Sequence, residues 1–404
     1  MTTIPILRTA ICPACGHNVA VPFLDSDPQP LATLAWPRTS EEARSLPPLP
    51  LDFVRCVDCG HIFNAAFDYD LVPYSEKPNL MFNRGTIWSD FVKGVRGAIL
   101  ARLPERPVVV EVGHGDGNFL AALADARPSG RFIGFDPNGA ALQSPCIELR
   151  RQLFDTDQMA VLRPDLVVSR HVLEHLINPL GFLQQLSFAA SCLGCSTLAY
   201  FETPCVDRVL GTGRTVDFYY EHSSHFTTQS FTRMLSRCGA EVLEVGHGYG
   251  GEVVFGFIRL GAGSGAMEMA KGAAGFRADA AAALVTIRAQ LADLHRSGWP
   301  VAIWGGTGKS AAFMCRYGVD AERFPIVVDS DVDKVGTFVP GTGQEIRFRD
   351  WLLAHPAQVV IIPPQWRASD IIAEMAAAGI ATDRVLIEHN GRLVDFHRDP
   401  HPYA

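Results

Sequence analysis

"VVVEVGHGDGNFL", residues 108–120, decides how the rest of the chain is read. Its run of valines around one acid, Glu111, has the composition of a strand buried on both faces. Gly113, Gly115 and Gly117 follow at alternate positions, and Asn118-Phe119-Leu120 opens a helical pattern. Strand, glycine turn and helix in that order form the first unit of a doubly wound α/β sheet, where the turn brings backbone close to a ligand. "RFIGFD" (131–136), "DLVVS" (165–169) and "STLAYFE" (196–202) repeat the apolar run, each set off by a helix-like or loop stretch. That alternation predicts a mostly parallel sheet. "EVLEVGH" (241–247) and "GEVVFGFIRL" (251–260) are close enough to pair as an antiparallel edge. A Gly/Ala-rich stretch from Gly261 to about Gly275 then leads to "ADAAAALVTIRAQLADLHRSG" (278–298), a connecting helix by its apolar spacing and closing glycine. Beyond it, "VAIWGG", "FPIVVDSD", "QVVIIPP" and "RVLIEH" predict a second, smaller sheet of the same type.

At 404 residues the chain exceeds one ordinary core. Apolar residues make up 48% and charged residues 19%, which is a globular balance. A net charge of −8 argues against nucleic acid as a partner. No apolar run approaches the roughly 18 residues of a membrane span. The opening "MTTIPILRTAICPACG" lacks the basic-then-apolar pattern of a signal peptide, so a cytoplasmic location is expected. There, ten cysteines read as thiols or metal ligands before they read as disulfides.

Cys12-Pro13-Ala14-Cys15 and Cys56-Val57-Asp58-Cys59 are each followed by glycine and histidine. Four thiolates suit tetrahedral zinc and leave no open position, so a structural Zn2+ is expected on Cys12, Cys15, Cys56 and Cys59. Unliganded thiols are the competing reading. Cys192 and Cys195 have no partner pair and read as packing.

The glycine turn has the form ExGxGxG. A leading acid suits the ammonium and positive sulfur of S-adenosylmethionine better than a pyrophosphate, which prefers backbone N–H groups. The next strand ends in Asp136, placed to accept from ribose hydroxyls. On these two features alone a dinucleotide such as NAD stays open. The strand "DLVVS" adds Ser169 and, just beyond, Arg170, His171, Glu174 and His175 at the carboxyl end, where open α/β sheets bind ligands. Ser169 and His171 join Glu111, Gly113, Gly115, Gly117 and Asp136 as expected cofactor residues.

"DFYYEHSSHF" (217–226) gathers two tyrosines, a glutamate and two histidines. A polar loop with aromatic packing is the plain reading; a proton-handling loop is the sharper one.

Taken in order, the two CxxC turns, ExGxGxG, "SRHVLEH", "YFETP", "YYEHSSHF" and a terminal α/β region resemble the bacterial sugar C-methyltransferases that act on nucleotide-linked ketosugars. The resemblance covers nearly the whole chain. It implies a zinc-binding N-terminal domain (1–75), a class I methyltransferase core (76–262), a connecting segment and helix (263–297) and a C-terminal Rossmann-like domain (298–404) that helps hold the substrate. The family's Tyr-x-Glu-His motif falls on Tyr219, Tyr220, Glu221 and His222. The resemblance implies His222 as general base, Tyr219 and Glu221 in the substrate site, and Tyr74 as a further catalytic tyrosine, with Tyr69 competing. Two departures bear on the identity of the sugar: Thr33 ends Pro30-Leu31-Ala32-Thr33 where asparagine is usual, and His225 stands where an aromatic is common.

Methylation at carbon needs a carbanion equivalent, and a proton next to a ketone is the accessible one. Histidine titrates near working pH, and tyrosine can donate to an enolate oxygen. The expected activity is therefore S-adenosylmethionine-dependent C-methylation of a nucleotide-linked deoxy-ketosugar. An O- or N-methyltransferase is the alternative within the same scaffold, and a non-catalytic nucleotide- or partner-binding protein the alternative outside it. "WGGTGKS" (304–310) is not a Walker loop, since Ile303 stands where the first glycine belongs. Its glycines still suit a phosphate or nucleotide cradle.

Overall fold

The computed structural model describes residues 6–74, 85–139, 145–261 and 265–403. It separates into two compact units, Met1–Glu268 and Met269–Ala404. The divisions expected at 75–76 and 262–263 lie outside the described residues.

The first unit is built on strands β1 (Ala20–Asp25), β2 (Asp52–Cys56), β3 (Ile62–Asn64), β4 (Val108–Val112), β5 (Arg131–Phe135), β6 (Glu148–Arg150), β7 (Leu166–Arg170), β8 (Leu198–Pro204), β9 (Ser224–His225), β10 (Glu241–Gly248) and β11 (Val253–Arg259). Seven of them form a sheet in the order β10-β11-β8-β7-β4-β5-β6. β4 to β8 run parallel, and the central valines of β4 and β7 are buried, as the continuous apolar runs require. β11 pairs antiparallel with both β8 and β10, so the expected antiparallel pair is present, with β10 as the edge. The chain order reverses between β4 and β7, the switch point at which such sheets bind ligands.

Local chemistry sets the ends of the elements around that point. Asn178 caps the helix Pro179–Leu193 by accepting from the Gly181 N–H at 2.8 Å, Pro179 takes the first turn, and Gly194 closes it in the left-handed region. Its Leu183, Leu186 and Ala190 share a core with Val110 of β4, Val167 of β7 and Ala199 of β8.

A second sheet, β1-β2-β3-β9, joins distant parts of the sequence. β9 is only Ser224–His225, yet it pairs with Phe63 and Ile62 and so ties the "YYEHSSHF" loop to the segment that carries the cysteines.

The second unit has strands β12 (Val301–Trp304), β13 (Ile326–Asp329), β14 (Ile346–Phe348), β15 (Val359–Ile361), β16 (Arg384–His389) and β17 (Arg392–Asp395) in the order β14-β13-β12-β15-β16-β17. All pairs are parallel except β16–β17. This is the expected second Rossmann-like sheet. Ile303 lies within β12, in keeping with the absence of a Walker loop. The connecting helix is longer than expected: it runs from Gly265 to Arg296 and absorbs the Gly/Ala-rich stretch. Alanine favours the helix there, and an exposed glycine costs only about 1 kcal/mol each. Its buried stripe, Ala283, Ile287, Leu291 and Leu294, lies in the half predicted as helical. Among the described residues no helix is long and apolar enough to cross a membrane.

Candidate active site

A cavity of about 520 Å³ opens at the carboxyl ends of β4, β5 and β7. Glu111, Gly113, Gly115, Asp136 and His171, all expected cofactor residues, line it. Gly113 adopts φ +73°, and a Cβ there would lie 2.3 Å from Val172 Cγ2, so this turn admits only glycine. The Asp136 carboxylate accepts from the N–H groups of Gly115 (3.1 Å) and Asn138 (2.8 Å), which holds the turn against the end of β5. Gly117 and Ser169 are not in the wall. Gly117 begins the helix Asn118–Ala126 in the left-handed region, and Ser169 is fully buried within β7.

Burial pushes the Glu111 carboxyl up to about 8, against the pull of nearby Arg170. Its Oε2 has no hydrogen-bond partner among the described residues. A buried carboxyl with one unmet oxygen at the end of the first strand, able to ionise against an incoming ammonium and set beside a turn with room for backbone approach, fits S-adenosylmethionine. His171, at φ +53°, turns its ring between two acids, with Nδ1 3.4 Å from Glu174 and Nε2 3.3 Å from Glu202. Burial alone would depress His171, but these carboxylates raise it to about 9. Glu202 is in turn held down at about 2, burial notwithstanding, by Arg170 and His171.

One edge of the cavity meets the "YYEHSSHF" loop. Tyr74 and His175 are in the cavity wall. The Tyr74 hydroxyl donates to the Glu221 carbonyl oxygen at 2.8 Å and stands 2.8 Å from His175 Nδ1. The His175 and His222 rings meet edge-to-face at 4.9 Å, and the Tyr219 hydroxyl lies 2.9 Å from His222 Nε2. Tyr69 packs against Tyr74 at a tilt of 31° with ring centroids 5.2 Å apart, but it is Tyr74 whose hydroxyl enters this network. Burial, with the fields of His175, His225 and His171, drops His222 well below the ordinary histidine range, so its imidazole is neutral at working pH. Burial likewise raises both phenols, Tyr74 and Tyr219, and keeps them protonated.

Glu221 behaves differently from its expected part. Its fully buried carboxylate accepts from the backbone N–H groups of Ala32 (3.1 Å), Thr33 (2.6 Å) and Leu34 (3.0 Å). Among the described residues this carboxylate thus joins the motif to the stretch that follows Pro30.

The four cysteines come together as predicted. Sγ atoms of Cys12 and Cys59, and of Cys15 and Cys56, lie 3.6 Å apart, and all four are within 4.8 Å of one another. A tetrahedral ion at the usual Zn–S length of about 2.3 Å spaces its sulfurs about 3.8 Å apart, so the set fits zinc. Gly16 and Gly60 both take φ +75°, and each donates back to the first cysteine of its turn. Of the third pair, Cys192 is exposed and Cys195 half-buried.

His175 is the residue whose role the sequence did not show. Its four-residue spacing from His171 suggests a shared helical face, but the left-handed His171 breaks the helix and sends the two rings to different partners. Glu174, His175 and His222 do bring donor atoms within 4.8 Å of one another. The Glu174 oxygens, however, are already engaged by Thr203 (3.0 Å) and His171.

Comparison with known proteins follows the same division of the chain. A family described as a methyltransferase domain matches residues 88–245, and one described as a C-methyltransferase C-terminal domain matches residues 264–387. No curated protein matches the sequence. Among solved structures, a SAM-dependent methyltransferase from Aquifex aeolicus is 13% identical over 44% of this chain and 100% of its own, with a TM-score of 0.30. Human N-acetylserotonin methyltransferase in complex with SAM is 16% identical over 43% and 53%, with a TM-score of 0.34. Magnesium protoporphyrin IX methyltransferase from Synechocystis PCC 6803 is 14% identical over 45% and 90%, with a TM-score of 0.31. These distant likenesses carry no argument about the substrate. With the glycine turn at the switch point of its first sheet and two methyltransferase families matched in succession, the chain is an S-adenosylmethionine-dependent methyltransferase with a C-methyltransferase C-terminal domain.

Proposed function

We propose that this enzyme methylates carbon next to the ketone of a nucleotide-linked deoxy-ketosugar, with His222 as the general base. The observation that carries the reading is the position of the buried His222 imidazole, its Nε2 2.9 Å from the Tyr219 hydroxyl and its ring linked through His175 and Tyr74 to the cavity at the switch point. S-adenosylmethionine, when bound, supplies an electrophilic methyl group. Glu111, Gly113, Gly115, Asp136 and His171 hold it; Gly117 and Ser169 support that wall from behind.

His222 takes the proton from the carbon acid. A depressed pKa makes it a weaker base but leaves it unprotonated across the working range, the condition a general base must meet first. Tyr219, which contacts Nε2 in the resting site, is the donor for the oxygen that becomes negative as the enolate forms, while Tyr74, its proton given to the Glu221 carbonyl, holds the loop at the edge of the cavity. Glu221 acts as a positioning residue: by binding the 32–34 amides it fixes the backbone from which Tyr219 and His222 project. Zinc on Cys12, Cys15, Cys56 and Cys59 is structural and holds β2 and β3, against which β9 pairs.

We infer that the second unit carries a nucleotide-binding turn of its own. There the Gly305–Gly308 turn precedes the helix Lys309–Tyr317, and Asp329 ends the neighbouring strand β13, the layout that binds phosphate and ribose in such sheets. The Gly306 N–H already donates to Asp329 at 3.1 Å.

Mass spectrometry and NMR of products, from enzyme incubated with S-adenosylmethionine and a panel of nucleotide 4-ketosugars, test the proposal. A new methyl bonded to ring carbon is the expected product. A methyl on oxygen or nitrogen would replace this reading with the corresponding O- or N-methyltransferase.

A further inference from the structure

Cys205, Asp207, Thr228 and His247 meet at the far end of the "YYEHSSHF" loop and take no part in the chemistry above. Cys205 follows β8, Asp207 and Thr228 open the helices Asp207–Thr212 and Thr228–Arg237, and His247 lies in the edge strand β10. Register holds the group together: Val254 of β11 is the shared partner of Thr203 in β8 and His247 in β10. Beyond β8, Cys205 bridges to Phe226, just before Thr228 in the chain.

Donor atoms of Cys205, Asp207 and His247 all lie within 4.8 Å of one another. The Thr228 hydroxyl marks where they converge: it bonds Asp207 Oδ2, stands 2.7 Å from His247 Nε2 and 3.9 Å from Cys205 Sγ. The Thr228 N–H donates to the same oxygen at 3.1 Å, so both bonds from this residue use Oδ2 and leave Oδ1 for another partner. Cys205 closes the inner side, 2% exposed, while Asp207 and His247 are exposed. Asp207 and Thr228 also line a cleft of about 660 Å³, through which a small ion reaches them from solvent.

A surface carboxylate by itself seldom holds an ion, but a thiol and an imidazole beside it change the donor set. Sulfur, nitrogen and oxygen together suit zinc and its neighbours over calcium or magnesium, which take oxygen ligands. Bonds of about 2.0 Å to nitrogen and oxygen and about 2.3 Å to sulfur set tetrahedral ligands about 3.3 to 3.6 Å apart, within the span of these three. The charges match as well, since a thiolate and a carboxylate balance a divalent cation.

We propose that Cys205, Asp207 and His247 form a second metal site, which takes a divalent ion of the zinc class. Binding breaks the Cys205 S–H bond, releases that proton to solvent and forms a sulfur–metal bond, with no change of oxidation state. Three protein ligands leave one position for water. With one thiolate in place of four and an open side, this ion exchanges under conditions that retain the zinc on Cys12, Cys15, Cys56 and Cys59. Because the Val206 N–H donates to the Phe226 carbonyl at 2.9 Å, the ion ties down the end of the loop that carries His222.

Cobalt titration of the dialysed full-length protein, with zinc content measured throughout, tests the site. One further equivalent of Co2+ should bind, with sulfur-to-metal absorption in the near ultraviolet and no zinc displaced. Cys205→Ser should lose that absorption. Loss of a ligand's supporting partner already costs about 10-fold or more in metal affinity, so His247→Ala should bind Co2+ at least about 10-fold more weakly. Added Zn2+ should raise the melting temperature of the wild-type protein and of neither variant. Cobalt that binds only by displacing zinc, absorption that survives Cys205→Ser, or an equal rise in melting temperature with Mg2+ would overturn the site. If Cys205→Ser does not fold, His247→Ala decides by itself, and a Co2+ affinity within about threefold of wild type overturns the proposal.

Discussion

Replacing Glu111 with glutamine should uncouple cofactor binding from pH. In the free protein, burial holds this carboxyl up at about 8. At pH 7 it is then about nine-tenths protonated, yet pairing with an ammonium requires the carboxylate. Ligand binding must therefore expel a proton, on the order of 0.9 per site at pH 7. The sign follows: affinity for S-adenosylhomocysteine rises with pH below 8, because less work is spent on ionising the acid. Between pH 6 and pH 8 the ionised fraction grows from about 0.01 to about 0.5, which sets a ceiling of roughly 50-fold on the gain in affinity. His171 adds nothing in this window, since Glu174 and Glu202 keep it protonated to about 9. Calorimetric titration at pH 6, 7 and 8, in buffers of contrasting ionisation enthalpy, reads the proton count directly. Glu111→Gln should release none and bind with nearly constant affinity. Binding to the wild-type enzyme without proton release at pH 7, or equal release in the variant, would refute the assignment of Glu111.

Three other outcomes follow from the same geometry. Glu221→Gln keeps an acceptor for the Thr33 and Leu34 amides but turns an NH2 group toward the Ala32 N–H; the loss should be about 2 kcal/mol in denaturant unfolding, and unchanged stability would show that the carboxylate anchors nothing. His225 is depressed by burial to about 4, so the unfolded chain takes up its proton first. Its share of stability is complete above the ordinary pKa of about 6.5 and is lost as pH falls toward 4, at up to about 1.4 kcal/mol per pH unit; a His225→Phe variant should show a shallower acid slope in urea melts, and an identical slope would contradict the burial argument. Purified protein should contain one zinc per chain by elemental analysis, and stripping it should lower both the melting temperature and methyl transfer; full retention of both would rule out a structural metal.

How much of this was legible in the sequence depended on how far apart the interacting residues lie. β4, β5, β7 and β8 announce themselves, because strands buried on both faces must be apolar almost throughout, and the ExGxGxG turn marks the first of them. The cysteine turns were equally plain, since each CxxC fixes two ligands locally. β9 was not: two residues have no periodicity, and their partners Ile62 and Phe63 are remote in sequence. The role of Glu221 was hidden for the same reason, its three amide donors lying 187 to 189 positions away. The sequence singled out both the Pro30–Thr33 stretch and the "YYEHSSHF" loop without showing that one carboxylate joins them. The separation of His171 from His175 turned on a single left-handed residue, which no apolar pattern encodes. The long helix was underestimated because glycines at exposed positions weaken a helix without ending it.

Deuterium exchange at the carbon next to the ketone is the measurement that bears most directly on His222. The enzyme would be held with S-adenosylhomocysteine and a nucleotide 4-ketosugar in D2O, so that no methyl can transfer, and the sugar followed by NMR. Wild-type enzyme should wash deuterium into one position of the unreacted sugar, and His222→Ala should slow that exchange by about 100-fold or more. Exchange at full rate in the variant, or methylation by the wild-type enzyme without any exchange, would contradict deprotonation by His222.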